Sequence, residues 1–217
     1  MSLTTFVTYE TFLPEVLPYV RDVSEAAAIN AIKNACIEFC QQSQWLRDEP
    51  DGITIVAGQA VYELDYPLGY TVAGIVRAGI GLRALKPGAP ELMTQLYGDN
   101  WKTRSGHVSH YMQDEAGYIR LVMVPNSTYE DDLKVVLAVK PSRSSTKVDR
   151  EIWEHWAEAI GFGARARLYD TPAMPYHDEK QAIKFRAWFE TKIGEAKIEA
   201  QRGRVRGPLY VRPPNLY

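Results

Sequence analysis

Residues 149–172, DREIWEHWAEAIGFGARARLYDTP, combine a helical spacing of apolar side chains with signals for the start and the end of a helix. Asp149 can cap the first turn, and Pro172 prevents continuation. One stripe of a helix with 3.6 residues per turn collects the apolar positions Trp153, Ala157, Ile160, Ala164 and Leu168. The stretch therefore predicts an amphipathic helix, and the rest of the chain is interpreted around it.

Two glycines, Gly161 and Gly163, stand inside this predicted helix. An interior glycine costs roughly 1 kcal/mol relative to alanine. Close approach of a second helix backbone would compensate, because no side chain separates the two; the alternative is that the glycines lie in an exposed turn. The residues that we expect to form the packing surface are Ala157, Ile160, Gly163, Ala164 and Leu168.

A second helix is predicted for residues 25–46, with Ser24 as its N-cap. Its apolar stripe is wider than one partner surface would cover, which suits a helix with neighbours on two sides. Its first half is rich in alanine, as the glycine-containing helix is rich in small residues. We infer that the two helices pack together, the first contributing Ala28, Ala31 and Ala35.

Beyond Glu49-Pro50-Asp51-Gly52 the apolar period changes from 3.6 to 2, which indicates strands. Residues 53–57 and 61–64, separated by a short glycine-containing connection, predict a hairpin. Five further short runs predict strands, and about two helical turns are expected before Trp101. The strand runs are residues 70–78, 81–85, 107–112, 118–124 and 133–139.

After Pro141 the helical period returns, and Asp178 can cap a last helix that continues to about Arg202. The order of elements predicts an α+β fold with a discontinuous helical bundle formed by residues 1–50 and 142–203. Residues 51–141 form the inserted part, an antiparallel β-sandwich or open barrel. Residues 204–217 remain as a separate C-terminal arm.

The arm is predicted to be extended, because Pro208, Pro213 and Pro214 exclude a helix. The final fifteen residues, GRVRGPLYVRPPNLY, hold no acidic side chain. Arginine and tyrosine are enriched at the centres of protein interfaces. We therefore expect a partner-binding arm whose candidate contact residues are Arg202, Arg204, Arg206, Tyr210, Arg212 and Tyr217.

Composition excludes several functional classes. The chain has 217 residues and a formal net charge of -2, which argues against a general nucleic-acid binder with its basic excess. The start of the sequence does not have the pattern of a signal peptide, and no run of about 18 apolar residues could span a bilayer. We expect no membrane association and a cytosol-like compartment, in which Cys36 and Cys40 are reduced buried thiols.

Patterns for catalysis, cofactors and metals are absent from the sequence. It has no P-loop, no G-x-S-x-G and no H-E-x-x-H. His107 and His110 are three residues apart on a predicted strand, which points them to opposite faces and does not suit one metal ion. The acidic pairs Asp114-Glu115 and Asp131-Asp132 are interpreted as solvated turn residues. No cofactor, no metal and no catalytic residue are expected.

Three segments together resemble a known family. They are EFCQQSQW at 38–45, ITIVAGQAVYEL at 53–64 and WEHWAEAIGFGARARLYDTPAMPYHDEKQAIKFRAWFETKI at 153–193. In this combination the chain resembles the head-to-tail adaptor proteins of short-tailed bacteriophages, the tail tubular protein A type. The second glycine at Gly161, His177 in the proline-rich corner and the arm after Gly203 depart from the family pattern.

The resemblance implies a non-enzymatic virion protein assembled in the host cytoplasm. Identical subunits, twelve in number, would form a ring beneath the portal protein, prolong the channel for double-stranded DNA without reading its sequence, and present a platform for the tail nozzle protein. The alternatives left open are another connector component, such as a stopper or tail-completion protein, and a cell-wall hydrolase using Glu115, Asp131 and Asp132.

Overall fold

Helix α3 (Arg150–Tyr169) occupies most of the 149–172 stretch in the computed structural model of the protein, which describes residues 5–202. The Asp149 carboxylate caps this helix by accepting a hydrogen bond of 2.8 Å from the backbone N–H of Glu151. Trp156 has φ −131° and ψ 15°, so the helix is kinked there without a proline or glycine at that position. The helix ends before Pro172, as predicted.

Helices α1 (Glu25–Ser43) and α4 (Glu179–Gln201) begin at their predicted N-caps, Ser24 and Asp178. The Ser24 side chain caps α1 by accepting a hydrogen bond from the Ala27 N–H at 3.3 Å. Gln44, with φ 53°, ends α1 in the left-handed conformation, so the helix is shorter than the predicted range 25–46. Besides α3, the helices of the described chain are a 3-10 helix at Tyr9–Glu15, α1 at Glu25–Ser43, α2 at Pro90–Tyr97 and α4 at Glu179–Gln201.

The described strands form two four-stranded sheets and two short pairs. The sheet orders are β2-β11-β4-β5 and β3-β9-β8-β6, and the pairs are β1-β12 and β10-β7. Most pairings are antiparallel, but β6 with β8 and β10 with β7 are parallel. The strands are β1 Phe6–Thr8, β2 Arg47–Asp48, β3 Val61–Glu63, β4 Tyr70–Ile80, β5 Arg83–Ala84, β6 Lys86–Pro87, β7 Ser105–Gly106, β8 His110–Met112, β9 Tyr118–Val122, β10 Val124–Pro125, β11 Leu133–Pro141 and β12 Lys147–Asp149.

The long pair β4 and β11 is the centre of the first sheet. The register runs antiparallel from Tyr70 opposite Pro141 to Ile80 opposite Leu133. It shifts twice, so that Ala73 and Val76 are extra residues on β4 and form two β-bulges. On its other side β4 pairs with β5 only through Gly79 and Ile80.

The predicted hairpin of residues 53–57 with 61–64 is wrong. Ile53 instead forms an isolated bridge with Leu133, exchanging backbone hydrogen bonds of 2.9 and 2.8 Å. The β3 strand pairs with β9. The two segments are linked by a side chain, because the Tyr62 hydroxyl accepts a hydrogen bond from the Val56 N–H at 3.0 Å. The two segments thus pair with distant strands and not with each other.

Buried side chains from the 3-10 helix, from α1, α3 and α4 and from both larger sheets form one continuous apolar cluster, and α1 packs against β11 as well as against α3. Met93 of α2 lies in a second, smaller cluster with Trp101, Met112 and Val122. The α+β class is confirmed, and the described strands form open sheets without a closed barrel. The division into a discontinuous helical domain and an inserted β domain stays a prediction. Cys36 and Cys40 lie in this cluster as free thiols, and burial raises the pKa of both.

The helices meet at Gly163. A Cβ atom added to Gly163 would lie 2.8 Å from the Phe189 Cζ of α4 and 3.0 Å from the Ala35 Cβ of α1. Such distances are shorter than normal carbon contacts, and Phe189 and Ala35 are fully buried. The missing side chain therefore allows α1, α3 and α4 to approach one another at a single point.

We predict that Gly163→Leu destabilises the subunit by about 3 kcal/mol, because the added side chain overfills this contact. For a chain of this size that loss corresponds to a fall in Tm of roughly 6–12 °C, measurable by differential scanning calorimetry. Gly194→Leu in α4 is the matched control for the isolated subunit, since a Cβ there meets no atom of the described chain within 4 Å. An unchanged Tm for Gly163→Leu would contradict the packing.

Candidate interaction surfaces

The residues predicted to form the helix packing surface lie mostly inside the subunit. Ala157 is half-buried. The others are buried in the common core or, for Gly163, in the contact described above: Ala28, Ala31, Ala35, Ile160, Gly163, Ala164 and Leu168. Contacts within one chain therefore occupy this surface, and a surface for partners has to be sought elsewhere.

Gly161 faces a different neighbour from Gly163. A Cβ atom at this position would lie 2.8 Å from the Glu15 Cβ, at the end of the 3-10 helix, and 3.2 Å from an Arg165 terminal nitrogen. The two glycines of α3 thus serve two separate contacts, one with the N-terminal segment and one with α1 and α4.

Arg165 is a buried cation held by aromatic rings. Only 4% of the residue is exposed, and its Nε donates a hydrogen bond of 3.1 Å to the Gly161 carbonyl oxygen. The guanidinium carbon lies 4.2 Å from the ring centre of Tyr19, 4.7 Å from Phe185 and 4.9 Å from Phe162. Burial lowers the pKa of Arg165, and nearby groups led by Tyr19 and Glu15 act in the opposite direction. The stacked rings stabilise the charge by cation–π contacts.

Glu38 of α1 connects the three long helices electrostatically. Arg186 of α4 holds both of its carboxylate oxygens, with hydrogen bonds of 2.6 and 3.1 Å. Arg167 of α3 also bonds to the carboxylate. Arg186 continues to Glu190 at 2.8 Å. The bidentate geometry fixes the relative position of α1 and α4 around the Gly163 contact.

The charge state of Glu38 follows from this geometry. Burial acts to raise its pKa, but hydrogen bonds and positive charge from Arg186 and Arg167 outweigh burial, so the pKa lies below the ordinary value of 4.5. The hydrogen bond to Glu38 raises the pKa of Arg186. Both groups are charged at neutral pH, and the pair stabilises the folded subunit.

Helix α4 also carries an apolar surface that faces away from the core. Its residues recur at intervals of three and four, on the side opposite the buried stripe of Phe185 and Phe189. Ile183 is 64% exposed and Ile198 is 51% exposed. We call this surface the outer face of α4, and it consists of Ile183, Ala187, Thr191, Gly194 and Ile198.

A groove between α3 and α4 borders the upper part of this face. Its volume is about 480 Å³. The apolar part is formed by Ala166, Ala182, Ile183 and Ala187, and the charged rim by Arg167, Asp170, Glu179, Arg186 and Glu190. Because Glu38 and Glu190 already bind the two arginines, the carboxylates of Asp170 and Glu179 leave the rim net negative.

The family model described as SU10 adaptor protein matches residues 7–212. The chain belongs to the SU10 adaptor protein family. It is thus a phage adaptor protein, a structural component of the virion. Comparison with curated proteins finds no match.

The match of the SU10 adaptor family extends into the C-terminal arm, as far as residue 212. Arg202 is exposed at the end of α4. The other predicted contact residues of the arm lie outside the described residues: Arg204, Arg206, Tyr210, Arg212 and Tyr217. The proposed partner contact of the arm therefore rests on its sequence.

Four of the polar residues that were weighed for catalysis or metal binding have separate local partners in this adaptor. Asp132 accepts a hydrogen bond from the Thr54 hydroxyl at 3.0 Å, and Asp114 pairs with Arg120. His107 contacts the Tyr129 hydroxyl, whereas His110 contacts the Ser109 hydroxyl. Within residues 5–202 no three metal-ligating side chains converge, and no described helix has the length and apolarity to cross a membrane.

Sequence reasoning missed three of these features. Glu38 and Arg186 are 148 positions apart, and a charge pair at that separation has no local signature. In the sequence, Arg165 looked like an ordinary charged residue of an amphipathic helix. Phe162 and Tyr169, three and four positions away, could have indicated its aromatic surroundings. The outer face of α4 was concealed by the lysines that alternate with it.

We predict that Glu38→Gln lowers the free energy of unfolding at pH 7 by on the order of 2 kcal/mol, the usual worth of hydrogen bonds to a charged group. Because the folded pKa is lowered, this stabilisation is present above pH 4.5 and is lost as the pH falls through the folded pKa. In urea unfolding, the difference in stability between the two proteins should therefore be largest at neutral pH and decrease as the pH is lowered below 4.5.

The control is Glu154→Gln, which removes an exposed pair with Arg150 at 2.8 Å within α3. Its effect should stay below about 0.5 kcal/mol at every pH. A pH-independent difference between the wild type and Glu38→Gln would show that the lost contact is not electrostatic.

Proposed function

We propose that this adaptor forms a ring of twelve identical subunits between the portal protein and the tail nozzle protein. In this position the ring prolongs the channel through which double-stranded DNA passes. The observation that carries the proposal is the match of the adaptor family over residues 7–212, almost the whole chain. The resemblance of residues 153–193 to the tail tubular protein A type supports the short-tailed form of the connector.

The distribution of apolar surface supports subunit contact. Inside the subunit, α1, α3 and α4 pack against one another at Gly163, and Glu38 pairs with arginines of α3 and α4. The outer face of α4 remains uncovered within the described chain. A ring needs two different surfaces on each subunit, one that meets the preceding copy and one that meets the next. A preformed rigid bundle with an uncovered helix face provides one of them.

The charge of the chain supports a passive role toward DNA. Proteins that hold DNA neutralise many phosphates with lysine and arginine. A formal net charge of -2 over 217 residues provides no general excess for such contacts. A weakly charged wall lets the duplex slide, and we assign neither catalysis nor sequence recognition to the protein. Assembly would take place in the host cytoplasm before the tail is completed.

The experiment is electron microscopy of the purified protein alone and after mixing with its portal protein. We expect a ring seated on the portal and coaxial with its channel, with twelve copies countable in class averages. A monomer that never binds the portal would refute the proposal. A ring or plug that binds only below a preformed adaptor would assign the chain to the stopper or tail-completion class.

We also predict that deletion of residues 204–217 leaves a folded subunit with unchanged Tm but weakens attachment to neighbouring copies or to the portal. A pull-down with tagged portal, together with mass photometry of the protein alone, separates these two contacts. The matched control changes Arg204, Arg206 and Arg212 to glutamine, which keeps the length and removes the charge. Unchanged assembly of the truncated protein would refute a binding role of the arm.

A further inference from the structure

Gly194 in α4 has no explanation within the described chain. A Cβ atom at Gly161 or Gly163 would meet neighbouring atoms at 2.8 Å, whereas one at Gly194 would meet nothing within 4 Å. An interior helix glycine costs about 1 kcal/mol relative to alanine. In α3 this cost is offset by close packing inside the subunit. In α4 nothing described in the subunit offsets it, which suggests a close contact from outside.

The surroundings of Gly194 have the pattern of a second packing surface. The five positions of the outer face of α4 follow one another at steps of four, four, three and four residues, and none is charged. A solvated helix face normally carries charged side chains. The buried stripe on the other side, with Ala182 and Ala196 among its residues, already anchors α4 to the bundle. Helix α4 is thus apolar on two sides.

The groove beside the N-terminal half of this face adds negative charge. Asp170 and Glu179 lie on its rim, and the rim arginines Arg167 and Arg186 are engaged by Glu38 and Glu190. The surface therefore suits an occupant with apolar side chains and unpaired positive charge.

We propose that the outer face of α4 and the adjoining groove bind residues 203–217 of a neighbouring copy of this chain. That segment carries Arg204, Arg206 and Arg212 without any acidic residue, which complements the net negative rim. Its apolar side chains, Val205, Leu209, Tyr210 and Val211, complement the uncharged face. The absence of a side chain at Gly194 gives room for a bulky group such as a tyrosine ring.

The length of the segment fits the surface. Fifteen residues span at most about 50 Å when extended. The fifteen-residue separation between Ile183 and Ile198 corresponds to about 22 Å along a helix axis. The segment can thus cross from one subunit to the next and still cover the face.

The assignment to a neighbouring copy rests on the proposed function, since a ring places an α4 helix of another subunit within reach. Binding to the α4 of the same copy would require the segment to run back along the helix that it follows, whereas the α4 of another copy can be reached without that reversal. A segment that crosses over gives every copy one donated and one received contact, which closes the ring.

The test uses the full chain with the photo-reactive residue p-benzoylphenylalanine in place of Thr191. Copies carrying it are mixed with heavy-isotope-labelled copies without it, and cross-linked peptides are identified by mass spectrometry after irradiation. We expect cross-links between position 191 of one copy and residues 203–217 of the other isotope form. Cross-links to any other region, to the same copy only, or no intermolecular cross-links at all would overturn the proposal.

The double substitution Ile183→Lys and Ile198→Lys tests the surface itself in the full chain. Both side chains are exposed, so the Tm of the subunit should be unchanged, whereas burial of two ammonium groups under an arginine-bearing segment should weaken self-association by about tenfold or more. Leu82→Lys is the control, because Leu82 is fully exposed at a turn outside α4. Equal self-association of the wild type and the double variant would refute the proposal.

These outcomes separate the further inference from the proposed function. If the double variant and the truncated protein still form rings on the portal, the arm does not bind α4 and the adaptor role stands. If the wild type forms no ring and binds no portal, the proposed function fails, and the absent intermolecular cross-link overturns this inference with it.

Discussion

The close approach of three helices at Gly163 is the constraint on which the subunit depends. One missing side chain brings the Phe189 ring and the Ala35 methyl group into contact with the α3 backbone. With the helix axes this close, the ring centre of Trp156 lies 5.4 Å from that of Phe39 and 5.1 Å from that of Trp45. Glu38 then reaches arginines on both other helices. Apolar packing thus sets the distance, and charge pairing fixes the rotation of each helix about it.

Local signals predicted the helical part of the fold well. Ser24, Asp149 and Asp178 all cap helices through their side chains, because capping depends on the two or three residues that follow. The predicted hairpin failed because Ile53 pairs with Leu133, 80 positions away, and no local pattern encodes that distance. The kink at Trp156 was equally hidden, since it arises where a bulky buried ring packs against α1 and not from a helix-breaking residue.

The candidate surfaces were harder to predict than the fold. The glycines of α3 were taken as a sign of close contact, but sequence alone could not say whether such a contact lies within one subunit or between two. The structure distinguishes the two cases by the atoms near each glycine. Protein atoms of the same subunit face Gly161 and Gly163, whereas open space faces Gly194. On α4 the lysines at 180 and 184 gave the appearance of an ordinary solvated side, although an uncharged stripe begins at Ile183 and runs along the helix to Ile198.

The two bulges of β4 have a consequence for the edge of the first sheet. From Tyr70 to Arg77, the side of β4 away from β11 has no strand partner among residues 5–202. A long regular edge of that kind would recruit the edge of another molecule during assembly, when local concentrations are high. Ala73 and Val76 interrupt the spacing of the backbone donors and acceptors, so a foreign strand finds no continuous register. The bulges thus disfavour pairing of this edge with a strand of another molecule, so that association depends on side-chain surfaces.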